Sequence, residues 1–135
     1  MDIVVESTEA FKQDLTAFSE SEQSVILEQI QQGIPLLFED QTFKKRRLHQ
    51  FYTFNLPHNS SSSLYSFIVN YRIRVVLTWD DDPIFERTLI TLFRVVESQN
   101  IAEVYQQIGE QIYQPIFKSE TLTLVQPVMT YDSSK

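Results

Sequence analysis

The sequence predicts an α+β domain in which a helical hairpin packs on a mostly antiparallel four-stranded sheet, followed by a third helix and a C-terminal tail. Three patterns predict it. Phe11, Leu15 and Phe18, then Leu27, Ile30 and Ile34, recur at helical spacing near the N-terminus. Between Leu64 and Val95 the apolar residues follow the period of strands. Ile101, Val104, Tyr105, Ile108 and Ile112 then return to a helical stripe at i, i+3, i+4, i+7 and i+11.

Asp2 to Val5 reads as a short opening strand. Ser7 and Thr8 offer N-cap oxygens to a first helix of about three turns. Ser19 and Glu22 have the spacing of a capping box for a second helix, which Gly33 and Pro35 should stop. So short a connection between the helices makes a hairpin with one apolar side, and that side needs a sheet to cover it. Gln50 to Asn55 is aromatic and strand-like, interrupted by Pro57 and the loop Asn59 to Ser63. Leu64 to Asn70 and Tyr71 to Trp79 read as extended. In the latter, Tyr71, Ile73, Val75, Leu77 and Trp79 share one face, and Arg72, Arg74, Val76 and Thr78 the other. Asp80, Asp81, Asp82 and Pro83 have turn chemistry, and Ile84 to Val95 forms the returning strand. Asn100 with Glu103 can cap the third helix, Pro115 should end it, and Thr121 to Val125 alternates once more. There is no internal repeat.

The composition is that of one globular domain: 135 residues, 42% hydrophobic and 13% aromatic. The absence of cysteine excludes a disulfide framework, a thiol nucleophile and a cysteine-based zinc or redox site. With only two glycines there is no Gly-rich phosphate loop. Apolar runs are too short to span a bilayer and the N-terminal residues do not resemble a signal peptide, so a cytoplasmic protein that needs no membrane is expected.

Charge is distributed unevenly. The formal net charge is -7, yet no Asp or Glu occurs from Gln41 to Trp79. That window holds Lys44, Lys45, Arg46, Arg47, Arg72 and Arg74, six of the eleven basic residues, together with His49 and His58. A positive potential focused on one face would attract phosphate or an acidic partner, and the alternative is a solvated surface patch.

The order strand, helical hairpin, meander and closing helix, with a basic segment entering the meander, resembles the RelE/ParE toxin superfamily. The likeness rests on Phe11 to Leu15, on the run Leu64 to Val76 leading to Asp80, and on Leu92 to Val96 closed by Val104 and Tyr105. It covers residues 1 to 113 and leaves residues 114 to 135 as a C-terminal extension. The resemblance implies a toxin-type protein neutralised by an antitoxin, with RNA or the ribosome as target in some members and DNA gyrase in others. If this chain is an enzyme of that kind, it is a weak or degenerate metal-independent mRNA endoribonuclease with no cofactor and no metal. Arg74 matches the arginine of the family's Tyr-Arg strand motif, with Ile73 in place of the tyrosine, and Tyr105 looks like the closing tyrosine. The arginine found one strand earlier in the family falls at Phe67 or Ile68, and the basic residue before the closing tyrosine falls at Ile101 or Ala102. The acidic composition and the extension also depart from the family pattern.

Metal-free RNA cleavage needs a base for the 2'-hydroxyl, an acid for the leaving oxygen and cations for the developing phosphate charge. Arg72 and Arg74, two apart on one strand face, could hold a single anion, or could instead pair with carboxylates or face water. His49 is the candidate base, with Tyr105 or Tyr52 as acid. Lys44, Lys45, Arg46 and Arg47 suit phosphate attraction better than chemistry, since adjacent flexible cations fix no geometry. Phe51, Tyr52 and Phe54 could stack on bases or belong to the core. Adjacent carboxylates at Asp80 to Asp82 diverge in an extended chain, which favours a turn over a metal site. The rival to the toxin reading is a non-catalytic module that binds an acidic protein partner through the basic 44–74 segment.

Overall fold

A computed structural model describes residues 2–51 and 63–122, with side chains described as far as residue 113. The elements run in the order β1 (Asp2–Ser7), α1 (Glu9–Thr16), α2 (Glu20–Glu39), α3 (Gln41–Arg47), β2 (Leu48–His49), β3 (Leu64–Ile68), β4 (Ile73–Asp82), β5 (Arg87–Glu97) and α4 (Ile101–Leu122). A 3₁₀ turn, Ser98–Asn100, leads into α4. The strands form one sheet in the order β1-β5-β4-β3-β2. β1 lies parallel to β5, and the other three pairings are antiparallel. Among the described residues the sheet therefore has five strands, not four, and is mixed at one edge.

Both N-terminal caps form from the residues expected. The Thr8 side chain accepts from the Phe11 N–H and its hydroxyl donates to the Phe93 carbonyl, which ties the start of α1 to β5. Ser19 and Glu22 make a reciprocal capping box at α2. The hairpin buries Phe11, Ile30 and Ile34, with Leu15 and Phe18 beside them, against the sheet face bearing Ile73, Val75 and Leu77. This matches a stripe of period 3.6 to a stripe of period 2, as the sequence pattern requires. α4 covers the opposite face. There Ile101, Val104, Tyr105, Ile108 and Tyr113 pack on Leu64, Val76 and Val96. A register shift between Val76 and Leu77 leaves Phe93 as an extra residue on β5, so Leu92 and Val95 both reach the hairpin side although three apart.

Several boundaries differ from expectation. Leu27 is 49% exposed, and Ile26 takes the buried position in its turn of α2. Gly33 and Pro35 do not stop α2, which continues to Glu39. A proline inside a helix removes one hydrogen bond and costs about 3 kcal/mol, while burial of Ile34 and Leu37 on either side of it offsets that cost. Gly33 has a packing role: a Cβ there would lie 2.8 Å from Cζ of the buried Phe67. Pro115 likewise falls inside α4, whose backbone runs on to Leu122, so Thr121 is helical. The turn expected at Asp80 to Pro83 sits at residues 83–86 instead, because Asp80, Asp81 and Asp82 pair with Leu89, Thr88 and Arg87. The strand expected at Gln50 to Asn55 forms two residues earlier, at Leu48–His49, and Tyr52 to Asn55 lie outside the described residues.

Candidate functional site

The basic run is helical. Asp40 caps α3, its Oδ1 accepting from the N–H groups of Thr42 and Phe43 at 3.0 and 3.1 Å. Lys44, Lys45, Arg46 and Arg47 fill the last turn, where four cations meet the negative end of the helix dipole. A helix turns successive side chains about 100° apart, so the four cations cannot share one direction. Lys44 lies over the Trp79 ring, 4.6 Å from its centroid, and Trp79 stacks on Phe38 at 4.5 Å. Arg47 points inward. Its guanidinium donates to the carbonyls of Ile68 and Val69 at 2.7 and 3.1 Å, to Gln29, and packs over Phe43 and Phe67. Lys45 and Arg46 are exposed and make no ion pair among the described residues.

His49 follows on β2, exposed, with Nε2 2.9 Å from the Arg46 carbonyl. It stands beside Lys45 and Arg46 in the chain, and these three are exposed without an ion pair among the described residues, whereas the exposed Arg72 is engaged by carboxylates.

Arg72 and Arg74 do not converge on a common anion. Arg72 precedes β4 and bridges Glu22 of α2 and Glu97 of β5, at 2.6 and 3.1 Å. These hydrogen bonds hold the Arg72 guanidinium more firmly protonated and hold Glu22 below its ordinary pKa. Arg74 folds back to donate to the Asn70 and Ile73 carbonyls. Its charge is partly desolvated, which lowers its pKa, and no carboxylate pairs with it among the described residues. Together with Arg47 these arginines hold the β3–β4 turn, where the Asn70 side chain accepts from the N–H groups of Arg72 and Ile73. Tyr71, 83% exposed, projects from that turn.

Tyr105 is fully buried on the α4 side of the sheet, the opposite layer from α3. Its hydroxyl donates to the Leu64 carbonyl at 2.6 Å, and burial pushes its pKa well above the ordinary tyrosine value. Burial and this bond direct the phenol proton to the protein's own backbone. Phe51 packs near the Tyr105 ring, with centroids 5.9 Å apart. Tyr52, Phe54 and His58 lie outside the described residues.

Of the carboxylates at the end of β4, Asp81 accepts from Trp79 Nε1 and Thr88 Oγ1, and Asp82 from the backbone of the turn. They diverge, as adjacent strand residues must. Sequence reasoning missed one further polar contact. Asp14 of α1 takes both Nε and Nη2 of Arg94 and the Val95 N–H, and so clasps the hairpin to β5 beside the bulge. A lone acid on the inner face of an amphipathic helix was the available signal.

No protein-family model and no curated protein matches the chain. Among solved structures, the chain is similar to the RelBE2 toxin-antitoxin complex of Mycobacterium tuberculosis. The sequences are 10% identical, the match covers 72% of this chain and 99% of that one, and the TM-score is 0.36. Values this low carry no inference about shared chemistry.

Proposed function

We propose that this protein is a non-catalytic interaction module that binds an acidic segment of a protein partner through the end of α3 and β2. One observation carries the reading: Lys45, Arg46 and His49, adjacent in the chain, are each exposed, while Arg47, Arg72, Arg74 and Tyr105 are bound to the protein's own acceptors. Three exposed cationic or titratable groups on a short helix and strand can meet carboxylates through long-range attraction and rim contacts. They do not supply the paired acid and base, with cations around one phosphate, that RNA cleavage requires.

The toxin-type reading, a metal-independent endoribonuclease held by an antitoxin, has the acid-free window from Gln41 to Trp79 in its favour. The two readings separate in one experiment. The purified chain is titrated with a fluorescent Glu-rich peptide and with a single-stranded RNA oligonucleotide over a range of salt, and the RNA is then checked for cleavage. Peptide binding that weakens with salt, and that falls roughly tenfold when Lys45→Ala and Arg46→Ala are combined, is expected from the loss of two partly screened ion pairs. RNA cleavage abolished by His49→Ala would replace this reading with the toxin one.

A further inference from the structure

The β4–β5 turn, at the other end of β4 from the turn that Arg47 holds, exposes two large apolar side chains side by side. Ile84 is 82% exposed and Phe85 69%. Solvent-facing turns ordinarily take Gly, Asn, Asp or Ser, and an Ile-Phe pair so exposed leaves most of its apolar surface in water. The turn is nevertheless firmly built. Asp82 Oδ1 accepts from the N–H groups of Ile84 and Phe85 at 3.1 and 3.3 Å. Arg87 pairs with Asp82 at 3.5 Å and lies over the Phe85 ring at 5.6 Å. Glu86 has φ of 52°, in the left-handed region that a glutamate seldom occupies, and its carbonyl accepts from the Asp2 N–H, which anchors the tip to β1. Backbone strain persists only where surrounding contacts over-determine it, as the Asp82, Arg87 and Asp2 contacts do here.

Asp2, Ile84, Phe85 and Glu86 line an open depression of about 280 Å³. The Asp2 and Glu86 carboxylates are exposed and form no ion pair among the described residues. The depression itself is mostly polar, and the apolar surface is that of the Ile84 and Phe85 side chains standing at its edge; Asp82 balances the Arg87 charge, which leaves Asp2 and Glu86 as the net charge beside them. These two carboxylates repel anionic lipid headgroups and nucleic acid and attract cations.

We propose that this tip is a docking knob for a basic amphipathic segment of a partner protein, whose apolar side chains cover Ile84 and Phe85 while its lysines or arginines meet Asp2 and Glu86. The surface is independent of the α3 site, and its test does not depend on the outcome there. The probe is a fluorescent amphipathic helical peptide of Leu and Lys, titrated into the full chain and followed by anisotropy. Ile84→Ser with Phe85→Ser should weaken binding at least roughly tenfold. Asp2→Asn with Glu86→Gln should weaken it less and flatten its salt dependence. Val5→Ser and Leu27→Ser, at exposed apolar residues elsewhere, should leave it unchanged. Circular dichroism confirms that each variant is folded, and the charge pair, which removes no packing, keeps the test open if the serine variant unfolds. Absence of binding would overturn the proposal. So would binding that survives loss of Ile84 and Phe85, or equal binding to a Leu/Asp peptide or to vesicles of phosphatidylcholine and phosphatidylglycerol.

Discussion

Replacing Gly33 with alanine tests how α2 is seated on the sheet, because two effects of similar size oppose each other there. In an unencumbered helix interior the change gains about 1 kcal/mol through lower backbone entropy in the unfolded chain. Here the new Cβ would lie 2.8 Å from Phe67 Cζ and 3.6 Å from Phe43 Cζ. Phe67 is fully buried and cannot swing clear, since the Arg47 guanidinium lies 5.4 Å from its ring centroid while bonded to the carbonyls of Ile68 and Val69. Overpacking of this kind costs about 1–3 kcal/mol. The difference is a net loss of about 1 kcal/mol, or a drop of roughly 3–5 °C in Tm for a domain of this length. Urea and thermal unfolding followed by circular dichroism measure it. Phe67→Leu removes the outer ring atoms, so in its background Gly33→Ala should recover its helical gain, a coupling of about 1–2 kcal/mol. A rise in Tm for Gly33→Ala alone, or additive effects in the double variant, would refute the contact argument.

Tyr105→Phe should lower stability by about 1–2 kcal/mol, because the hydroxyl's hydrogen bonds to the Leu64 carbonyl and with the Phe51 backbone are both lost, while the Leu64 carbonyl retains its contact with Gln50; it should leave RNA and peptide binding unchanged, which titration of both ligands checks. The Glu22 pKa is depressed chiefly by its hydrogen bond with Arg72, so the pair's stabilisation is present above the ordinary glutamate value of 4.5 and is lost as pH falls through the lower folded value. Glu22→Gln should therefore weaken the protein at neutral pH and flatten its acid limb, read from urea midpoints at stepped pH; an unchanged pH profile would show that the pair contributes nothing to folding.

What the chain shows by itself is set by short-range rules. Thr8, Ser19 and Glu22 announce the starts of α1 and α2 because capping involves only neighbours three residues away. The stripes through Phe11, Ile30, Ile34, Ile73, Val75 and Leu77, and from Ile101 to Ile112, name the two buried faces because side-chain period follows backbone geometry. The acid-free window from Gln41 to Trp79 is likewise visible without any structure. Tertiary contacts decided the rest. Pro35 and Gly33 read locally as a stop, yet the burial of Ile34 and Leu37 and the close approach of Phe67 outweigh local preference. α3 was hidden by its four cations, although Asp40 was available as its cap. The candidate site changed most. Whether a guanidinium is free depends on acceptors distant in sequence: Glu22 and Glu97 for Arg72, the carbonyls of Ile68 and Val69 for Arg47, and those of the β3–β4 turn for Arg74. Charge can be counted along a chain, but its availability is a property of the packed molecule, because the acceptors that engage a guanidinium are brought beside it by the fold and not by the local sequence.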